Sequence, residues 1–267
     1  MKIVTWNNRG IQHGPFRREC QELIKMNRPD VICFLETKTD SAIAAPKFLQ
    51  RLGFDKDYQI PSQGRAGGLW LFWCSMVLKL EILCSSSQFI HCSLHQKEVS
   101  CLITFAYVQP HAAMKDLFWD EVSGIAQDIQ SSWIVMGDFN DILSVEEASP
   151  KATRGFVRAQ RFRDRLSNSG LHSTEPLGCK YTWLRKQNGR VLLRERLDRA
   201  LFNLMALDSF PDAKVINLPR LCSDHHPVLL CVEAPVLRAR NSKPIRFEAA
   251  WLTHEDFKQV FTGAWSS

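Results

Sequence analysis

Apolar residues in this chain gather in short alternating or continuous runs. Runs of strand length recur at 2–6, 31–35, 67–73, 77–83, 88–94, 99–107, 133–137, 179–184, 191–203 and 227–232. Between some of them the spacing turns helical. Leu23, Ile24 and Met26 lie in a segment closed by Asn27-Arg28-Pro29, Leu117, Val122, Ile125 and Ile129 recur near helical spacing, and Phe156 to Leu166 reads as a basic amphipathic helix. Turns are marked by Gln63-Gly64-Arg65-Ala66-Gly67-Gly68, by Ser85-Ser86-Ser87 and by Gln187-Asn188-Gly189-Arg190. The last is an Asn-Gly turn between Tyr181-Thr182-Trp183 and Val191-Leu192-Leu193, which predicts a hairpin. Strands outnumber helices, and the mixture predicts an α/β chain of two stacked sheets with helices outside.

After Val232 the pattern changes. Residues 234–244, basic and bounded by Pro235 and Pro244, read as a linker. Beyond it Phe257, Val260, Phe261 and Trp265 fall at i, i+3, i+4 and i+8, an apolar helix face with little chain left to pack on. The expected organisation is a domain over 1–233 followed by a linker and helical tail over 234–267.

Composition narrows the class. With 267 residues, 45% apolar and 23% charged, the chain can bury a substantial core. No run of about 18 apolar residues is present, and Met1 to Asn7 turns polar too early for a secretory signal. The expectation is a soluble, non-secreted protein of the nucleus or cytoplasm. The nine cysteines are odd in number, lack a C-x-x-C pair and sit mostly inside apolar runs, as reduced buried thiols do. Neither Cys nor His recurs at zinc spacing, and His225 and His226, as neighbours on a strand, would point apart.

The net charge of +6 is unevenly spread. Residues 1–150 carry 14 basic and 17 acidic side chains, 151–199 carry 13 and 4, and 200–267 carry 7 and 7. The excess therefore sits in the middle of the chain. A solvated helix face accounts for part of it, but arginines so far in excess of local acids favour a polyanion partner. Arg154, Arg158, Arg161, Lys186 and Arg190 are the candidate contacts to a nucleic-acid backbone.

Four apolar runs end on polar chemistry: Ile3–Trp6 on Asn7-Asn8-Arg9-Gly10, Val31–Leu35 on Glu36-Thr37, Trp133–Met136 on Gly137-Asp138-Phe139-Asn140, while Cys222-Ser223-Asp224-His225-His226-Pro227 opens Val228–Val232. Cleaving a phosphodiester needs an attacking water, a divalent cation and charge stabilisation for the departing oxygen. Glu36 and Asp224 are hard oxygen ligands suited to Mg2+ or Mn2+. Asp138 and Asn140, two apart, share one side of an extended segment and are placed to orient and deprotonate water. His225 can hold charge, with Asp198 accepting its other N–H. Each has a plainer reading. Asp138 can end a strand in an Asx turn, Glu36 can be an exposed terminus, Asn7 can cap a turn, and Asp198 can pair with Arg194 or Arg199. Tyr107 can be a half-buried aromatic with its hydroxyl in water, and His226 is expected to be structural.

Taken together, Thr5-Trp6-Asn7, Leu35-Glu36-Thr37, Tyr107, Gly137-Asp138-Phe139-Asn140, Arg196-Leu197-Asp198-Arg199 and Ser223-Asp224-His225 form an ordered set. That set resembles the endonuclease/exonuclease/phosphatase superfamily over residues 1 to about 233. Within it the chain is similar to the exonuclease III-like apurinic endonucleases, and most closely to the endonuclease domain of plant non-LTR (LINE-type) retrotransposons. Asp141-Ile142-Leu143-Ser144, Glu195 to Leu201 and Arg246-Phe247-Glu248-Ala249-Ala250-Trp251 carry that finer likeness. The resemblance implies a DNase I-like four-layer α/β sandwich, two packed mixed sheets flanked by helices. It implies that Glu36 binds the metal with help from Asp224 and Asn7. Asp138 would activate water positioned by Asn140, Tyr107 would touch the phosphate, and Asp198 would orient His225. The implied activity is a Mg2+- or Mn2+-dependent nick in DNA leaving 3′-hydroxyl and 5′-phosphate ends, by a monomer, with a reverse transcriptase as partner in cis or in trans. The rival readings are a phosphatase of small phosphoesters and a nucleic-acid-binding relic without turnover.

Overall fold

Successive side chains of a strand face opposite sides of a sheet, so a strand apolar at every position must be covered on both faces. The computed structural model of the protein, which describes residues 1–11, 15–39, 46–62, 64, 66–150 and 155–232, meets that demand. In chain order its elements are β1 (Lys2–Asn7), α1 (Phe16–Asn27), β2 (Val31–Leu35), α2 (Lys47–Arg51), β3 (Lys56–Ile60), β4 (Leu69–Trp73), β5 (Lys79–Ser86), β6 (Phe89–Gln96), β7 (Val99–Tyr107) and α3 (Ala112–Asp128). There follow β8 (Trp133–Asp138), β9 (Ala148–Ser149), α4 (Gly155–Asn168), β10 (His172–Ser173), β11 (Leu177–Gly178), β12 (Trp183–Gln187), β13 (Arg190–Glu195), β14 (Asp198–Phe202), α5 (Leu204–Ser209), β15 (Lys214–Asn217) and β16 (Val228–Cys231). The chain divides into a unit Met1–Ala234, which holds all of these, and a second, Pro235–Ser267, outside the described residues. The expected linker and tail, and Arg154, therefore lie outside the description.

Two large mixed sheets result, in the orders β11-β15-β16-β1-β2-β4-β3 and β10-β14-β8-β7-β6-β5. Between them lie Ile3, Leu35, Leu71, Ile103, Phe105, Met136 and Leu230. Their chain neighbours point outward: Val4, Trp6, Phe34 and Phe72 pack on Phe16 and Leu23 of α1 and Phe48 of α2. On the other side Val135 and Leu201 pack on Phe118 and Trp119 of α3 and Phe162 of α4. The layers are thus helix, sheet, sheet, helix, as expected of an α/β sandwich of the DNase I-like kind.

The Asn-Gly hairpin forms as expected, β12 against β13, with Asn188 at φ 50° and Gly189 at φ 76°. The apolar run 191–203 does not stay one strand. It breaks at Arg196-Leu197, because Leu197 N and Asp198 N both donate to Thr182 Oγ1 (2.9 Å each), and β13 and β14 join different sheets. The edge strand β3, Lys-Asp-Tyr-Gln-Ile, and the strand β15 lack the continuous apolar signal and go unmarked in the sequence. All nine cysteines are free, five of them buried. No helix among the described residues is long and apolar enough to cross a membrane.

Candidate active site

Strand register assembles the site before any side chain acts. In the second sheet Asp138 lies opposite Asp198 of β14 on one side and Tyr107 of β7 on the other. In the first sheet Asn7 lies opposite Leu35, so Glu36 follows directly at the strand end, and β16 starts at Val228 opposite Thr5, just after Asp224 and His225. The sequence-marked residues from separate strands thus meet at one end of both sheets. Among the described residues the loops there hold four of the seven non-glycine positions with positive φ: Arg9 (55°), Glu36 (52°), Lys38 (55°) and Asn140 (49°). Such conformations cost about 1–3 kcal/mol each and persist where the surroundings over-determine them.

Asp138 is the centre. Its Oδ2 accepts from Asn7 Nδ2 (2.9 Å), and its Oδ1 accepts from the Asn140 backbone N–H (2.9 Å), the Asx turn of the plain reading doing double duty. His225 Nδ1 donates to Asp198 Oδ2 (2.9 Å) and stands 3.8 Å from Asp138 Oδ2. Asp198 therefore pairs with the imidazole, while Arg199 turns to Glu147 (2.8 Å). Burial, and then the charge of Asp198, raise the Asp138 carboxyl to about 6. Burial opposes an imidazolium at His225, but Asp198 and Asp138 outweigh it and raise the group to about 9. Near neutral pH the arrangement is a carboxylate base beside a charged imidazolium. Asp198→Asn removes a charge that raises both groups, so both limbs of a pH–activity profile are expected to move to lower pH. A profile whose alkaline limb stays in place would detach His225 from Asp198.

The carboxylates expected to hold a metal stand beside this pair. Tyr107 donates its hydroxyl to Glu36 Oε1 (2.6 Å); burial, and then the Glu36 charge, push its pKa up and keep it a donor. Trp183 Nε1 donates to Asp224 Oδ2 (3.0 Å). Burial would raise Asp224, but His225, Arg9 and the Trp183 hydrogen bond hold it below the usual carboxylate range. The remaining oxygens, Glu36 Oε2 and Asp224 Oδ1, both face the Arg9 guanidinium, at 3.7 Å from Nη1 and 3.0 Å from Nε. Two carboxylate oxygens converging on one cation fit a hard divalent ion. Asp138, Asp198 and His225 also bring ligand atoms within 4.8 Å of one another, but that cluster is a poor cation site. Its imidazole is charged and the N–H groups of Asn7 and Asn140 already point at Asp138. Asn7, expected to help the metal, gives its amide N–H to Asp138 and accepts the Arg9 N–H on Oδ1 (3.2 Å). Tyr107, expected to touch phosphate, gives its hydroxyl proton to Glu36. His226 is structural as expected, its Nδ1 donating to Leu218 O (2.8 Å).

The basic stretch splits in two. Arg158 is committed inside the protein: Nε to Asp141 Oδ1 (2.9 Å), Nη1 to Glu195 Oε1 (2.6 Å) and Nη2 to Asn140 O (2.9 Å). Lys115 joins it on Asn140 O (2.7 Å) and Asp141 Oδ2 (2.7 Å), so two cations clamp the strained Asn140 turn. Arg163, Arg165, Arg196 and Arg199 are likewise bonded within the fold. Arg161 is exposed on α4 and lines a cleft with Lys115 and Arg165. Lys186 and Arg190 are exposed on the hairpin, and Lys186 with Arg185 and Arg220 lines a groove of about 820 Å³ that reaches Arg9 and Asp224.

Sequence reasoning passed over Arg9, Trp183, Lys115 and Ser223. Ser223 Oγ donates to Asn7 O (2.7 Å) and accepts His225 N–H (3.1 Å), tying the approach to β16 to the end of β1 at the site. Ser223 carried a signal by standing in Ser-Asp-His, and Arg9 by standing two residues after Asn7 at a polar strand end. The others act through contacts between distant segments, which leave no pattern along the chain.

No curated protein matches the chain in sequence. Solved structures do match in fold. The 3′-5′ exonuclease NExo from Neisseria meningitidis superposes with a TM-score of 0.64 at 20% identity, over 86% of this chain and 98% of that one. The endonuclease domain of TRAS1, a telomere-specific non-LTR retrotransposon, gives 0.65 at 12% identity, over 86% and 96%. An AP endonuclease from Archaeoglobus fulgidus gives 0.65 at 18%, over 86% and 98%. Independently of these, the sequence pattern of one family runs through residues 4–225, from β1 to the site imidazole. By that match the chain belongs to the Endonuclease/Exonuclease/phosphatase family.

Proposed function

We propose that the protein is a Mg2+- or Mn2+-dependent endonuclease that nicks DNA and leaves 3′-hydroxyl and 5′-phosphate ends. The observation that carries this reading is the buried Asp138 carboxylate, aligned by Asn7 and Asn140 beside the His225–Asp198 pair. Asp138, raised to about 6, is ionised at neutral pH yet basic enough to take a proton from an attacking water. Asn140, fixed through its Nδ2 bond to Val108 O (2.8 Å), positions that water from the same turn. The His225 imidazolium stabilises charge on the phosphate, and Asp198 keeps it charged and oriented. Glu36 and Asp224 would hold the cation, whose chemistry when bound is to polarise the phosphoryl oxygens and neutralise the leaving oxygen. Tyr107 and Trp183 fix those carboxylates in place.

DNA is the favoured substrate because exposed cations line the approaches to the site, Arg161 in the cleft of Lys115 and Asp141 and Lys186 in the groove that reaches Asp224, with Arg190 exposed on the same hairpin as Lys186. They suit backbone phosphates more than base edges. Arg161→Ala is expected to weaken duplex binding several-fold at low salt and flatten the salt dependence by about one unit of slope, with the melting temperature unchanged. An equal loss at all salt concentrations would place Arg161 off the DNA path. The retroelement role, with residues 234–267 leading toward a reverse transcriptase, rests on the sequence likeness and on the fold shared with the TRAS1 endonuclease domain. The test is supercoiled plasmid with the purified protein and magnesium. Open circles that a polymerase extends from the nick, and that a chelator prevents, are expected. Retardation without cleavage would leave a DNA-binding relic, and phosphate release from small esters alone would make it a phosphatase.

A further inference from the structure

Each of the two carboxylates expected to hold a metal has one oxygen fixed by a neutral donor, Tyr107 on Glu36 Oε1 and Trp183 on Asp224 Oδ2. The other oxygen of each, the one left for a cation, is turned toward Arg9. Lys38 adds a second positive charge, its Nζ 3.4 Å from Glu36 Oε2. The Arg9 backbone is pinned at φ 55° with its N–H on Asn7 Oδ1, yet its side chain is 40% exposed and lines the basic groove. A guanidinium so placed repels a divalent ion from the oxygens it covers, and it matches a phosphate better than two separate carboxylates because its donors fork.

We propose that Arg9 is a built-in competitor for the divalent cation at Glu36 and Asp224, and that it releases these carboxylates when a DNA phosphate takes its guanidinium. The inference rests on the reading of Glu36 and Asp224 as metal ligands. Its consequence is positive coupling: metal binds weakly to the free protein and more tightly with DNA in the groove. By reciprocity, metal tightens DNA binding by the same factor. Cleavage chemistry is thereby assembled only on substrate.

The experiment is Mn2+ binding to the full chain, followed by electron paramagnetic resonance, for wild type, Arg9→Gln and Glu36→Gln, with circular dichroism melts to establish folding. Arg9→Gln is expected to bind Mn2+ about tenfold more tightly than wild type, within the usual range of site–site coupling. A phosphorothioate duplex that resists cleavage is expected to tighten Mn2+ binding to wild type but not to Arg9→Gln. Equal or weaker binding by Arg9→Gln, with Glu36→Gln still defective, would reduce Arg9 to a structural ion pair and overturn the proposal. Unchanged Mn2+ binding by Glu36→Gln would instead sink the metal reading beneath it. The duplex arm needs no substitution, so a wild type whose Mn2+ affinity ignores DNA overturns the release by itself.

Discussion

Replacing Asp138 by Asn is expected to lower plasmid nicking by about 10²–10⁴-fold, the usual contribution of a positioned general base. The carboxylate is wholly buried and sits where a water held near Asn140 would pass its proton. Asparagine keeps the shape but removes the basic oxygen. Stability should move little, because two effects oppose. The new amide NH2 must face the N–H of Asn7 or of Asn140, a mismatch costing about 1–3 kcal/mol. Against that, the substitution removes a buried negative charge that already repels Asp198 strongly enough to raise the Asp138 pKa. A melting temperature within about 5 °C of wild type is expected. Activity within tenfold of wild type would remove Asp138 from the chemistry.

Gly137→Ala should be the most damaging small substitution in the described chain. Gly137 adopts φ 148°, and a Cβ there would lie 1.9 Å from Ala106 O and within 3.0 Å of two further backbone atoms of Ala106. Ala106 is its register partner on β7, so no side chain can swing aside and the two central strands would have to part. The expected loss exceeds about 4 kcal/mol, a large part of a typical domain's stability. It would appear as insoluble protein or a melting temperature lower by roughly 8–16 °C. Gly124→Ala is the matched control, since nothing lies within 4 Å of the added carbon inside α3. Alanine there should stabilise by about 0.4–1 kcal/mol. If Gly137→Ala melted like this control, the close approach of β7 and β8 would be wrong.

Gly137 also shows why the Gly-Asp-Phe-Asn motif takes that form. Glycine lets the strand pass Ala106, the buried Asp138 carboxylate follows at the strand end, Phe139 enters the core under α3 and α4, and Asn140 turns the chain at positive φ. The motif names were legible in the sequence; their reasons were not. Lys115 and Arg158 lie about 25 and 18 positions from Asn140 and hold it through its carbonyl, an atom every residue possesses. Arg158 therefore looked like a phosphate contact in the sequence and is bonded three ways inside the fold.

What the sequence determined by itself was everything governed by period and order. Strand-length apolar runs, buried on both faces, require layers on each side, and polar residues at their ends require a common edge. Those rules yield the two sheets, the covering helices and the polar strand ends at Asn7, Glu36, Asp138, Asn140, Asp224 and His225; Tyr107 joined the set only through the family likeness. Only the tertiary structure decided which partner each polar group takes. Asp198 had Arg194, Arg199 or His225 within plausible reach, and sheet register gave it His225. Tyr107 came to Glu36 and Asn7 to Asp138, and Arg9 came to stand between Glu36 and Asp224, 27 and 215 positions away. The physical reason is one of range. Hydrophobic periodicity is set by neighbours along the chain, whereas a hydrogen bond or ion pair is settled within a few ångströms among side chains that only folding brings together.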